Sequence, residues 1–195
     1  MSAAERRERI VEAAIDLFAE RGYEGASMRD LAAAAGISKP VLYDHFDSKQ
    51  ELFVALMRAI SGELTANTAA AMAGGGSPRD RYRAAIEAFF AYVEERPNAS
   101  RVLFVTPRAD PALMAIARRH QAGVTADLAA IIAAESGLFR GVRDRVRRIE
   151  LCTELVKTGI NGLAEWWYER PELSRRQLVE ATMAVTWDGL GAQLR

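Results

Sequence analysis

The chain has 195 residues, half of them apolar and 27% charged, so it can bury a hydrophobic core and is too apolar for a disordered chain. Its 26 basic and 26 acidic residues balance, which excludes a globally basic nucleic-acid binder but not a local basic patch. The single cysteine excludes an intrachain disulfide, and no apolar run reaches the ~18–20 residues of a membrane span. With no signal-peptide pattern at the N-terminus, we expect a cytoplasmic protein.

Apolar residues recur at helical spacing along nearly the whole chain, which predicts an all-α fold of about nine helices. In the N-terminal part, Gly22 is expected to end the first helix, and Ser27 to cap the second. Gly36 ends the second helix, and Pro40 fits the first turn of the third. The predicted N-terminal helices cover residues 5–20, 28–34 and 38–45.

A long linking helix is predicted over residues 48–73, because Ser48 and Glu51 form a capping box before an apolar stripe. The Gly-rich segment 74–78 is the clearest linker. We therefore predict a small N-terminal domain over residues 1–50, which continues into the linking helix 48–73, and a larger helical domain over residues 51–195. The remaining predicted helices are 78–95, 98–105, 110–135, 144–169 and 174–194, with a loop at 136–143.

Two short helices joined by a turn that contains Gly36 match the geometry of a helix-turn-helix. In that motif the second helix enters the major groove of DNA, and its flanks bind phosphates. Residues 1–57 contain seven basic and ten acidic residues, which disfavours loose electrostatic binding. A protein that docks one helix onto a specific DNA sequence remains compatible with this charge balance, since Arg6, Arg7 and Arg9 cluster in the N-terminal arm. The alternative is a helix-turn-helix that serves only for packing.

The similarity to known helix-turn-helix proteins extends over residues 9–57, and four segments carry it: Phe18–Tyr23, Leu31–Ser38, Leu42–Phe46 and Ser48–Leu52. With these segments the chain resembles the tetracycline-repressor-like (TetR-type) transcriptional regulators. The resemblance implies a homodimer, built from the last two helices, that binds a palindromic double-stranded operator as a repressor. It also implies that residues 1–50 form a DNA-binding domain and residues 51–195 a ligand-binding and dimerisation domain, with release from DNA by a small molecule. Pro40 stands where relatives often carry Gly or Ala, so no base preference is transferred.

The DNA contacts are expected on the two short helices and their flanks. The resemblance implies that Tyr43 and Lys49 bind phosphates. Lys39 has the donors to bind a guanine edge, and Val41 could meet a thymine methyl, whereas Leu42 faces the core. The complete set of predicted DNA-binding residues is Ser27, Arg29, Ser38, Lys39, Pro40, Val41, Tyr43, Asp44, His45 and Lys49.

The C-terminal part offers candidates for a ligand pocket and a dimer interface. An aromatic-rich lining would suit an apolar or aromatic ligand, although such stripes more often form a core. The predicted pocket residues are Phe89, Phe90, Tyr92, Phe104, Met114, His120, Trp166 and Trp167. The last two helices are apolar on two faces, so they need a second packing partner besides the core of their own subunit. The predicted interface row is Ile149, Cys152, Val156, Leu163, Val179, Met183 and Leu190.

No other chemistry has a signature in this sequence. The two histidines are far apart, and no paired cysteines, P-loop or GxSxG motif occurs, so we predict no metal, no cofactor and no enzymatic activity. The arginines in residues 143–148 are interpreted as a solvated surface. The alternative function is a helical interaction protein of the same fold that acts through a protein partner.

Overall fold

A computed structural model describes residues 2–104, 110–134, 139 and 141–189 of the chain. These residues form nine α-helices and contain no strand, which confirms the predicted all-α fold. The helices are α1 Ala3–Gly25, α2 Met28–Ala34, α3 Lys39–Tyr43, α4 Lys49–Met72, α5 Pro78–Glu95, α6 Pro97–Phe104, α7 Pro111–Ala134, α8 Arg145–Trp167 and α9 Arg175–Met183. A π-helical turn, Ala184–Asp188, follows α9 directly.

The chain divides into two compact units. Unit 1 contains Met1–Ser61 and Arg96–His120, and unit 2 contains Gly62–Glu95 and Gln121–Arg195. Helices α4 and α7 therefore each contribute residues to both units. This division differs from the predicted boundary at residues 50 and 51, because α6 packs against α1. The assignment of DNA binding and ligand binding to the two parts of the chain stays a prediction.

Gly22 interrupts α1 where we expected the first helix to end. The backbone of Gly22 has φ 68° and ψ 177°, a conformation that is open almost only to glycine. The regular helix stops before Gly22, and a further helical turn follows the kink and reaches Gly25. The first turn of α1 has a capping box, in which Ser2 accepts from the Glu5 amide and Glu5 accepts from the Ser2 amide.

The core of unit 1 joins α1 to α4 through three aromatic rings. The centroids of Phe18 and Phe53 lie 5.3 Å apart, and the Tyr23 ring lies 5.0 Å from that of Phe53. Phe18 and Phe53 are both fully buried, so this cluster fixes the end of α1 on the start of α4. Helix α6 is joined to α1 by a hydrogen bond from Asn98 to Asp16 at 2.9 Å, and Arg96, just before α6, forms an ion pair with Glu12 at 3.1 Å.

In unit 2, ion pairs link α5 to α9. The Arg175 guanidinium contacts Glu87 and Glu94, each at 2.8 Å, and Arg83 contacts Glu180 at 2.6 Å. The arginines of these pairs are about one third exposed and the glutamates about half, so solvent screens the pairs and the buried faces of both helices supply most of the stability. Part of the predicted loop 136–143 and residues 190–195 lie outside the described residues. None of the described helices is long and apolar enough to cross a membrane.

Candidate nucleic-acid interface

The turn between α2 and α3 is closed by backbone hydrogen bonds. The Ile37 amide donates to the carbonyl of Ala32 at 3.0 Å, and the Gly36 amide donates to that of Ala33 at 3.1 Å. Gly36 has φ +64°, in the left-handed region that favours glycine at the end of a helix. The tight turn that the sequence predicted at Gly36 is confirmed, and it holds α3 against α2.

Helix α3 has one buried and one exposed face. Leu42 is fully buried and Phe46, just past the helix, is 2% exposed, so these two side chains anchor the segment in the core. Tyr43 is 42% exposed. Val41 and His45 are half-buried, and the other predicted DNA-binding residues of this segment are exposed: Ser38, Lys39, Pro40 and Asp44. The predicted base-reading residues therefore share one accessible surface.

Basic side chains lie at both ends of α3. The Arg7 guanidinium lies 5.2 Å from the centroid of the Phe46 ring, just after the helix. A terminal nitrogen of Arg9 lies so close to Gly36, just before the helix, that a Cβ there would be 2.7 Å away. The Lys39 ammonium lies 5.7 Å from the centroid of the Tyr43 ring. These charges give the α3 surface a basic border.

Several acidic residues of this segment are directed away from α3. Glu12 pairs with Arg96, and Asp16 accepts from the Asn98 amide at 2.9 Å, both toward α6. Three other carboxylates accept hydrogen bonds from backbone amides near helix starts: Glu5, Asp30 and Glu51. The net acidic balance of residues 1–57 is thus compatible with basic residues at both ends of α3, while Asp44 stays exposed on the α3 surface itself.

The two predicted contacts at the start of α2 are both exposed, and Ser27 has a structural role within the chain. Ser27 caps α2: its hydroxyl accepts from the Asp30 amide at 3.2 Å and donates to the Asp30 carboxylate at 2.5 Å. The hydrogen bond from the Ser27 side chain is the largest cause that holds the pKa of Asp30 below its usual value. Arg29 projects from the same turn.

Lys49 differs most from its predicted environment. It is the first residue of α4, and its side chain is half-buried. The ammonium donates to the carbonyl oxygens of Tyr23 at 2.8 Å and Ala26 at 2.9 Å. Two of its three N–H donors are therefore bound within the chain, in contrast to a side chain held ready for phosphate.

Comparison with known proteins identifies the family. Residues 10–56 match the model of bacterial regulatory proteins, tetR family. The transcriptional activator FasR of Mycolicibacterium smegmatis is 31% identical over 95% of this chain and 83% of its own length. The chain belongs to the TetR family. It is therefore a DNA-binding transcriptional regulator, and members of this family are not enzymes.

Solved structures share the fold of this TetR-family chain. The fatty acid degradation regulator FadR from Bacillus halodurans superimposes with a TM-score of 0.82 at 17% identity, covering 97% of this chain and 98% of its own. FadR from Bacillus subtilis, solved in complex with stearoyl-CoA, has a TM-score of 0.75 at 18% identity and covers 92% and 95%. At these identities the likeness establishes the fold alone.

Four of the eight predicted pocket residues are buried in unit 2. Phe89 and Phe90 lie 5.1 Å apart between ring centroids, and Phe90 lies 6.1 Å from Trp167. The Trp167 indole N–H donates to a backbone carbonyl at 2.8 Å. The Tyr92 hydroxyl donates to Glu63 at 3.1 Å. These side chains form an aromatic core with two polar attachments, and their role in ligand binding stays a prediction.

The other candidates in this set lie elsewhere. Phe104 and Met114 are half-buried in unit 1. His120, also in unit 1, lies with Nε2 2.9 Å from the Ser61 hydroxyl oxygen. Because the Ser61 hydroxyl donates its proton to the Met57 carbonyl at 2.7 Å, Nε2 of His120 is the donor. His120 therefore has a polar partner inside its own unit.

The predicted interface row requires correction. Ile149, Val179 and Met183 are 1%, 0% and 1% exposed, and Ile149 packs against Phe139 in the core of unit 2. These side chains already have partners within their own unit, so they offer no surface to a second copy. Three further members of the row are half-buried, namely Cys152, Val156 and Leu163. The last member, Leu190, lies outside the described residues.

The opposite side of α8 carries the exposed apolar residues. We define the outer face as Leu151, Leu155 and Trp166 of α8, which are 63%, 70% and 45% exposed. Trp166, predicted in the pocket, is thus on the surface, because it falls on the same side of the helix as Leu151 and Leu155. The sequence contained the signal, since Leu151 and Leu155 form a second apolar row four residues apart.

Arg7 and Arg9 belong to the charged N-terminal arm, but the sequence did not assign them as site residues. Their placement at the two ends of α3 depends on the packing of α1, which spacing along the chain does not reveal. Among the residues that the structure describes, no three His, Cys, Asp or Glu side chains come together as metal ligands.

Proposed function

We propose that the protein is a dimeric repressor that binds a palindromic operator through α3 and is released by a small apolar ligand. The observation that carries the proposal is the exposed surface of α3, which is anchored by Leu42 and bordered by Arg7 and Arg9. A rigid, exposed helix with basic flanks has the arrangement needed to enter a major groove.

The proposed contacts divide into base reading and phosphate binding. Lys39 donates to a guanine edge and Val41 contacts a thymine methyl. Tyr43, Arg29 and Arg7 bind phosphates on either side of the groove, where they set register without reading sequence. Removal of any one of these phosphate-binding groups is expected to lower affinity for all sequences, and removal of Arg29 or Arg7, which carry the charge, is also expected to reduce the salt dependence.

The outer face supports a two-fold dimer. Apolar side chains as exposed as Leu151 and Leu155 are costly in a monomer when they share one face, and a second copy of the same face would cover them. A Cβ added at Gly159 or Gly162 would meet nothing within 4 Å in the chain. These glycines leave room for close approach of a partner helix.

An apolar ligand is supported by the aromatic residues of unit 2. Phe89, Phe90 and Trp167 present ring surfaces that suit an acyl chain or an aromatic molecule. Stearoyl-CoA is the first probe, because the Bacillus subtilis FadR structure of the same fold contains it. Ligand and DNA would oppose each other through coupled equilibria.

Activation is the second candidate output, and one finding favours it. FasR, which is 31% identical over nearly the whole chain, is a transcriptional activator. Repression and activation use the same DNA contacts and differ in where the operator lies relative to the promoter. A reporter with the operator moved across the promoter separates the two outputs.

Selection from random duplex DNA tests the proposal. We expect an enriched palindrome whose half-sites lie about one helical turn, ~34–36 Å, apart. The Leu151→Glu, Leu155→Glu double variant should sediment as a single protomer of 21.4 kDa and should lose preference for the palindrome. Enrichment of an asymmetric site, or a wild-type protein that sediments only as a protomer, would contradict the dimer. Stearoyl-CoA that leaves operator affinity unchanged would rule out this acyl ligand.

A further inference from the structure

The ammonium of Lys49 is held by the segment that joins α1 to α2. It donates to the carbonyls of Tyr23 at 2.8 Å and Ala26 at 2.9 Å, and it lies 4.2 Å from the centroid of the Tyr23 ring. The ring face attracts the cation, and the carbonyls accept charge-assisted hydrogen bonds. The three contacts converge on one group and define its position.

These carbonyls lie past the break at Gly22, in the last helical turn up to Gly25 and at its C-cap, Ala26, where helical carbonyls lack partners. This turn has no basic residue of its own. Lys49, on α4, supplies the hydrogen-bond donor from outside the helix. Ala26 is only 3% exposed, so water has little access to replace the lysine at that carbonyl.

We infer that Lys49 is a positioning residue for DNA binding. It fixes the connection between α1 and α2 on the start of α4. Ser27, the residue after Ala26, caps α2, and α2 packs against α3. The ammonium thereby sets the placement of the helix that reads DNA, instead of serving mainly as a phosphate contact. This inference rests on the proposed use of α3 for DNA recognition.

The chain has three lysines, Lys39, Lys49 and Lys157, so the inference has a direct spectroscopic signature. Ammonium protons that are hydrogen-bonded exchange slowly with water and are visible by NMR in protein labelled with 15N-lysine. Lys157 has acceptors in Thr125 at 2.7 Å and Glu154 at 2.9 Å, whereas Lys39 is exposed. We expect side-chain signals from Lys49 and Lys157 but not from Lys39, and the Lys49 signal should persist when DNA is added.

DNA binding by matched variants separates positioning from phosphate binding. Lys49→Met should lower operator affinity about tenfold or more while the slope of log affinity against log salt stays unchanged. Arg29→Met, the phosphate control, should reduce that slope by ~0.9, the value for one phosphate that the protein no longer neutralises. Lys49→Arg should bind the operator more weakly than wild type as well, since a planar guanidinium does not fit the site that the two carbonyls and the Tyr23 ring form around a compact ammonium. Ile60→Val, a core truncation in the same helix, should leave the affinity of the folded protein unchanged.

Hydrogen exchange measures whether Lys49 fixes the placement of α2. The amides of α2 should exchange faster in Lys49→Met than in wild type or in Arg29→Met. Two results would overturn the inference: wild-type affinity in Lys49→Arg, or a reduced salt slope in Lys49→Met with unchanged α2 exchange. A wild-type protein that binds no DNA would overturn the proposed function instead, and the lysine signals and α2 exchange would still decide the role of Lys49.

Discussion

The turn before α3 gives a quantitative test through Gly36. Its φ of +64° lies in the left-handed region, where a residue with a Cβ costs ~1–2 kcal/mol. The Cβ of Gly36→Ala would also lie 2.7 Å from a terminal nitrogen of Arg9. Because this atom ends a flexible side chain, the guanidinium moves aside at little cost. We therefore expect a loss of ~1–2 kcal/mol, or ~2–8 °C in melting temperature.

A double-mutant cycle with Arg9→Ala separates backbone strain from the clash. If strain dominates, the coupling free energy between Gly36→Ala and Arg9→Ala stays below ~0.5 kcal/mol in urea unfolding. The displaced guanidinium should nevertheless weaken DNA binding, because it leaves the border of α3. A coupling above ~1 kcal/mol, or a Gly36→Ala protein as stable as wild type, would refute this reasoning.

Gly22 provides the matched control for Gly36. Its φ of 68° is similar, its ψ of 177° makes an alanine costly by ~1–3 kcal/mol, and an added Cβ would meet nothing within 4 Å. Gly22→Ala should therefore destabilise the protein without displacing Arg9. At temperatures where both variants are folded, only Gly36→Ala should lose operator affinity in fluorescence anisotropy.

Three further predictions concern unit 2. Gly162→Ala should stabilise the isolated protomer by ~0.5–1 kcal/mol through helix propensity, yet raise the dimer dissociation constant in sedimentation; unchanged dimerisation would exclude this glycine from the interface. Trp167→Phe should cost ~1–3 kcal/mol in urea unfolding, because the Leu173 carbonyl loses a hydrogen bond of 2.8 Å; a neutral substitution would contradict that role. The hydrogen bond from the Thr125 hydroxyl is the largest cause that holds the pKa of Glu154 below its usual 4.5. Wild type should therefore be more stable than Thr125→Val at neutral pH, where Glu154 is ionised. This pH-dependent advantage should disappear as the pH falls below about 4.5 and Glu154 becomes protonated. A stability difference between these two proteins that does not vary with pH would contradict that linkage.

Local signals in the sequence predicted the helices well. The predicted helices 28–34 and 78–95 coincide with α2 and α5 as observed. The caps explain this success, since Ser27 and Ser77 act through residues three positions away in the chain. Gly22 does interrupt the first helix as predicted, and only the short helical turn that follows it, up to Gly25, was not predicted.

Contacts between distant segments were not predictable in this way. The partners of Lys49 are 23 and 26 residues away, so its position at a helix start gave no sign that the α1 carbonyls hold it. On α8, the sequence shows two apolar rows, but spacing alone did not tell which one faces the core. The burial of Ile149 and the exposure of Leu155 follow from how α8 packs within unit 2.

The most direct test of the central claim is fluorescence anisotropy with the selected operator, measured across a salt series and against scrambled competitor DNA. We predict binding that survives the competitor, with two protomers or a multiple of two per site. Tyr43→Phe, which keeps the ring and removes the hydroxyl, should weaken that binding equally for all sequences. Binding that the scrambled DNA abolishes, with an affinity that does not depend on Tyr43 or Lys39, would contradict recognition of DNA through α3.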